Sequence, residues 1–210
     1  MGAFRDVITG EAELRDHFPA QSARSKVKDI HHLDDACREF IELSPIVFIG
    51  TTNPDGTGDV SPKGGPPGFV RVLDDHRLAM GELPGNNRLD GYTNLVRDDR
   101  IGLLFLIPTM DETLRVNGRG CATTDPEVLD ACTVDGRRPK VALGVDVIEA
   151  FVHCAKALRR SSLWDTASWP DVHPSAACML NAHVGVTDDP EGTRTAAALE
   201  EAYAATMWNG

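Results

Sequence analysis

The first 44 residues carry charges at helical spacing, and "DDACREFIEL" sets Ala36, Phe40, Ile41 and Leu43 on one flank, which predicts one or two helices. At Ser44 the period changes. "SPIVFIGTTNPDGTGDVSPKG" joins a β-branched and aromatic run to a second extended run through the cluster Asn53, Pro54, Asp55 and Gly56, the signature of a hairpin whose strands begin near Ile46. "GFVRVLDDHRLAMGEL" predicts two short strands joined tightly around Asp74, Asp75 and His76. A short helix follows, with Leu89, Tyr92 and Leu95 at helical spacing. Strands are expected over Arg100 to Ile107 and Glu112 to Ala122, separated by "PTMD". Asp125 can cap, Pro126 suits a first turn and Glu127 complements the dipole, so a helix should start there and run to Val134. "VALGVDVIEAFVHCA" alternates as one long strand, "KALRRSSLWD" leads away from it, and the last 35 residues have a helical pattern.

Six or seven short strands, with one helix after the fourth and another after the sixth, argue against a parallel β-α-β repeat. A mainly β fold, an antiparallel barrel or sandwich with helical decorations, fits better. The length of 210 residues suits a single domain with a full core. Its expected parts are N-terminal helices over 1–44, the β-barrel over 45–165 and a C-terminal helical extension over 166–210.

Charge narrows the partners. Lys and Arg total 21 against 32 Asp and Glu, a formal net charge of -11, which disfavours nucleic acid. "MGAFRDVITGEAELRDHF" offers no apolar stretch of a secretory signal, and the densest apolar run, Ile101 to Pro108, is too short for a bilayer. The five cysteines are an odd number without a CxxC pair, which argues for reduced thiols and against a thiolate metal site. The expectation is a soluble, cytoplasmic protein without a membrane anchor.

Candidate chemistry begins at "ELPGNNRLDGYTNL". A cation in the first turn of a helix is slightly unfavourable next to the positive end of the dipole, unless an anion sits there. Asn86, Asn87 and Arg88 could converge with helix N–H groups on one such anion. The alternative is plain capping by Asn86 or Asn87, with Asp90 in support and Arg88 in water. In "SPKGGPPGF", Ser61 and Lys63 alternate onto one face of an extended segment and could meet a ligand together, although turn chemistry also accounts for the Gly and Pro. Arg115 shares a strand face with Thr113 and Asn117, opposite Leu114 and Val116, and is either an exposed strand Arg or a second cation for the anion. His153 and Cys154 point to opposite strand faces and lack a spaced partner, which argues against ligation. No residue announces itself as a catalytic acid, base or nucleophile.

Together "DVSPKGGPPGFVRVLDDHRLAMGELPGNNRLDGYTNL", "RIGLLFLIP" and "ETLRVNGRG" resemble the FMN-binding split β-barrel proteins of the pyridoxamine 5'-phosphate oxidase-like family, over roughly Ile46 to Trp164. The resemblance implies a six- to seven-stranded antiparallel split β-barrel and a homodimer with one FMN in each of two clefts between subunits. The implied function is that of an FMN-dependent oxidoreductase that moves hydride or electrons between a reduced donor and a small-molecule acceptor. A flavin- or haem-binding module without catalysis is the alternative; His31, His32 or His153 would then be the axial ligand. Carried over by the resemblance, Gly85, Asn86, Asn87 and Arg88 occupy the phosphate motif, with Asn87 in place of one of two bases. Val60, Ser61, Pro62, Lys63 and Gly64 match the strand that lines the flavin. Gly81 and Glu82 precede the phosphate loop, and Thr113 or Arg115 stands on the next long strand. Lys156, Arg159, Arg160, Ser161 and Trp164 are candidates to cover the flavin across the dimer. The chain ends "ATMWNG", without the Arg-containing motif by which the true oxidases grip pyridoxamine phosphate, so vitamin B6 activity is not expected.

Overall fold

The computed structural model describes residues 4–83, 85 and 87–208. Helices α1 (Glu11–Asp16) and α2 (Ala23–Lys26) are short and bury nothing. In α3 (Asp35–Leu43) the Asp34 carboxylate accepts from the Cys37 N–H at 2.8 Å and caps the helix. The buried stripe of α3 is Cys37, Phe40 and Ile41, one turn on from buried Leu33. Leu43, expected on that flank, is half-exposed because the helix ends there and the chain turns at Ser44.

Seven strands follow: β1 (Ile46–Thr52), β2 (Gly58–Gly64), β3 (Val70–Val72), β4 (Arg77–Gly81), β5 (Arg100–Leu106), β6 (Thr113–Thr123) and β7 (Ala142–His153). They form one sheet in the order β2-β1-β5-β6-β7-β4-β3, with every neighbouring pair antiparallel. The ends of that order, β2 and β3, are not bonded to each other, so the barrel is split. Alternation puts Val47, Ile49, Leu103, Phe105, Val116, Val145, Leu78 and Met80 on the concave side, where they make the core. The expected mainly β split barrel with terminal helices is therefore the fold that forms.

Two helices sit where the pattern placed them. Helix α4 (Asp90–Arg97) follows β4 and packs on β1, β2 and β6, and α5 (Pro126–Ala131) follows β6. The second is shorter than expected, ending at Ala131 rather than Val134. Arg71 donates to the carbonyls of Ala131 and Thr133, while Val134 pairs with Arg137 in a tight bridge, so the next turn of helix has lost its acceptors. One glycine is dictated by close approach. A Cβ at Gly118 would lie 2.2 Å from the Asp146 carbonyl oxygen, at a bulge that leaves Ile148 unpaired and brings Glu149 opposite Asn117.

Beyond β7, α6 (Lys156–Arg160) leads to a single 3-10 turn at Thr166–Ser168. Helices α7 (Ala176–Val184) and α8 (Thr193–Thr206) then pack on each other around buried Asn181, which donates to the Asp189 carbonyl at 2.8 Å and accepts from the Thr195 hydroxyl at 2.7 Å. The helical expectation for the C-terminal stretch thus resolves into one helical hairpin.

Candidate functional site

The split in the barrel is bridged by side chains. Lys63 lies on edge strand β2 and Glu82 directly follows β4, whose own N–H still donates to the Val141 carbonyl at 2.9 Å. Across the gap the Lys63 ammonium meets both Glu82 oxygens, at 2.8 and 2.6 Å, with the two side chains 30% and 24% exposed. Tyr92, one turn into α4, lies beneath them: the Lys63 Nζ sits 5.6 Å from the ring centroid. The Tyr92 hydroxyl is buried against Glu82 without a hydrogen bond of acceptable geometry, and burial together with the Glu82 charge pushes its pKa upward. The hydroxyl, the ammonium and the carboxylate thus form one polar cluster at the seam.

Next to this seam, α4 begins at Asp90, and Leu89, in the left-handed region with φ 56°, is its N-cap. Asn87, also left-handed with φ 55°, and Arg88 therefore precede the first turn. Arg88 is bonded to Asp90 at 2.8 Å, in an exposed pair, so the acidic group of the first turn already complements the dipole. Asn86 lies outside the described residues. Helix α4 is pinned from behind by Asn94, 2% exposed, whose amide donates to Thr51 Oγ1 and Asn53 Oδ1 at 3.0 Å each and to Asp59 Oδ2 at 3.3 Å.

Register divides the remaining candidates. Lys63 pairs with Val47, which pairs with Phe105, which pairs with Leu114, so Lys63 shares the concave side with Ser61, Glu82 and Tyr92. Arg115 pairs with Leu104 and Phe151, and Leu104 with Phe48, which pairs with Pro62; that row faces outward. Val60 is 70% exposed on the same outer side. Thr113, paired with His153, is buried. A cation at Arg115 thus does not join Lys63 and Arg88 within one protomer. Its guanidinium lies 4.8 Å from the Phe151 ring centroid, and its Nε is buried without a hydrogen-bond partner.

The late residues are committed elsewhere. Trp164 Nε1 donates to the Met110 carbonyl at 2.9 Å, Arg159 pairs with Asp111 at 2.7 Å, Arg160 donates to the Lys156 carbonyl, and the Ser161 hydroxyl donates to the Leu158 carbonyl. The first two bonds fasten α6 and its sequel onto the loop between β5 and β6, and the last two close the end of α6 itself.

Two cavities lie elsewhere among the described residues. One of about 500 Å³ lies on the outer face over Gly50, Gly102, Asn117 and Glu149, where Asn117 donates to Glu149 at 2.6 Å. The other, about 550 Å³, is an apolar recess between α3 and the ends of β6 and β7, lined by Cys37, Phe40, Leu114 and Val152. Neither is lined by Lys63, Glu82 or Arg88. Among the described residues no three His, Cys, Asp or Glu side chains gather closely enough to hold a metal ion. Nor is any helix among them long and apolar enough to cross a membrane.

Tyr92 and Asn94 were not singled out by sequence reasoning. Tyr92 reads as one more apolar position of a helical stripe, and no local signal set it apart. For Asn94 the available signal was an amide beside that stripe, where an apolar residue would be expected.

The chain is thus a split β-barrel with an ion-paired seam beside a helix start. The family model for pyridoxamine 5'-phosphate oxidase matches residues 33–154, and the chain belongs to that family. No curated protein matches it at a significant level. Among solved structures it is similar to HupZ of Group A Streptococcus (15% identity, TM-score 0.47, 57% of this chain and 92% of that one). A second similar structure is a Clostridium acetobutylicum protein related to general stress protein 26 of B. subtilis, of the pyridoxinephosphate oxidase family (16%, 0.41, 55% and 83%). A third is a conserved hypothetical protein, Rv2991, from Mycobacterium tuberculosis (14%, 0.40, 84% and 99%).

Proposed function

We propose that the chain is an FMN-binding oxidoreductase that passes hydride or electrons from a reduced donor to a small-molecule acceptor, working in the cytoplasm as a homodimer. The observation that carries the reading is the seam: Lys63, Glu82 and the buried Tyr92 hydroxyl meet beside the start of α4, in a chain of the pyridoxamine 5'-phosphate oxidase family. FMN, when bound, supplies the hydride-accepting ring that none of the side chains offers. The residues of this chain bind and orient. Ser61 and Lys63 offer a hydroxyl and an ammonium from the concave side of β2, while Arg88 and the N–H groups opening α4 suit the phosphate. As an edge strand, β2 also presents backbone groups along its free side.

A second subunit accounts for what one protomer leaves apart. The outer face, with Val60, Pro62, Arg115 and the cavity over Gly50 and Gly102, would then face the partner's seam. Lys156, Arg159 and Trp164 would approach the flavin from across the dimer.

The test is an absorption spectrum of the purified protein, with mass analysis of what denaturation releases and sedimentation of the native state. The expected result is a two-banded flavin spectrum, released FMN and a dimer. A sharp haem band would replace this reading with the haem-binding one. A colourless monomer that refuses added FMN would remove it.

A further inference from the structure

At the seam both described cations are already bonded to carboxylates of the same chain: Lys63 to Glu82 at 2.6 Å and Arg88 to Asp90 at 2.8 Å. The four charges sum to zero, whereas a phosphate monoester carries between one and two negative charges at neutral pH. The two pairs are not equivalent. Arg88 and Asp90 have side chains 73% and 47% exposed, so solvent screens them. Lys63 and Glu82, at 30% and 24%, sit in a lower dielectric with the buried Tyr92 ring beneath, and the Glu82 carboxylate is felt more strongly by any anion that enters. Glu82 also holds the ammonium with both oxygens, so an anion must compete with it for Lys63.

We infer that Glu82 is a specificity-determining residue of the seam. Its charge cancels that of Lys63 and lowers the preference for phosphorylated over unphosphorylated flavin, so that the site selects on the uncharged ring system more than on the phosphate. This rests on the flavin reading above. It predicts that the affinity gap between FMN and riboflavin is set by a carboxylate, and that it widens when the carboxylate is made neutral.

Fluorescence titration of FMN and of riboflavin into the full-length protein, Glu82→Gln and Lys63→Gln tests it. In Glu82→Gln, FMN should bind about ten-fold more tightly, while riboflavin changes by less than about three-fold. In Lys63→Gln, which leaves the Glu82 charge without its counter-ion, FMN should weaken about ten-fold and riboflavin little. A loss of structure would weaken both flavins alike. Salt supplies a second measurement: FMN affinity should fall less steeply with salt in the unaltered protein than in Glu82→Gln, because the carboxylate offsets the Lys63 charge. The same salt dependence in both proteins, or a folded Glu82→Gln variant that shifts both flavins equally or neither, overturns the assignment while FMN binding itself stands. If neither flavin binds the folded unaltered protein, the flavin reading fails and this inference with it.

Discussion

Lys63 and Arg115 stand in adjacent rows of one sheet and point to opposite faces of it. Lys63 looks across the split at Glu82; Arg115 lies on the outer face against Phe151, with its Nε buried and unbonded. A partly buried guanidinium whose Nε–H is orphaned carries a desolvation cost that a partner surface would relieve. Arg115→Met keeps much of the packing on Phe151 and removes that charge. Folding stability of the protomer should stay within about 1 kcal/mol or rise, while the dimer proposed above should dissociate at higher protein concentration. Sedimentation velocity over a dilution series measures this; an unchanged dimer removes Arg115 from the interface.

Asn94 ties α4 to the β1–β2 hairpin through Thr51, Asn53 and Asp59. Asn94→Ala leaves these acceptors facing a void and should cost about 2 kcal/mol in urea unfolding. Amide exchange at Asn53 to Thr57 should quicken with it, because the turn loses its anchor on the helix. Equal protection in the variant would mean that the turn is held by its own bonds alone.

His153 is kept neutral. Burial first, then the charges of Lys28 and Arg115, lower its pKa below the ordinary histidine value. The unfolded chain therefore binds the proton more readily than the native one, and this group's contribution to stability falls as pH drops from about 6.5 toward the native pKa. Proton NMR of the imidazole should place its midpoint below 6.5, and Lys28→Met should raise it. His153→Gln should flatten the part of the acid dependence that lies in that window.

Thiol reactivity should sort by environment. Cys121 and Cys154 are exposed, whereas Cys37 and Cys132 are buried. Burial, aided by the hydrogen bond and charge of Asp34, pushes the Cys37 thiol up to about 12, and burial raises Cys132 as well. A disulfide reagent at pH 8 should consume Cys121 and Cys154 quickly and half-buried Cys178 more slowly, and leave Cys37 and Cys132 until denaturant is added. Fast labelling of Cys37 would show that α3 opens readily from the barrel.

Much of the architecture was legible because its signals are local. The hairpin around Asn53 to Gly56, the tight pair around Asp74, the Asp125–Pro126 helix start and the alternation of β6 and β7 each depend on residues within one turn or one strand; β5, β6 and β7 formed within two residues of their expected bounds, whereas α5 ended early. That end was decided by Arg71, about sixty positions away, taking the carbonyls the helix needed.

The site divides in the same way. Periodicity by itself determined that Ser61 and Lys63 share a face, that Thr113, Arg115 and Asn117 share another, and that a helix runs through Tyr92 and Leu95, although it placed Arg88 in the first turn, which begins only at Asp90. It could not say whether those faces meet, since facing depends on strand order and register, which are long-range. Only the folded sheet put Lys63 opposite Glu82 across the split, set Tyr92 beneath them and turned Arg115 away. Alternation along a strand is a property of each residue's nearest neighbours; the closure of a barrel is a property of contacts far apart in the chain, and so it was the tertiary structure that decided which charges neutralise one another.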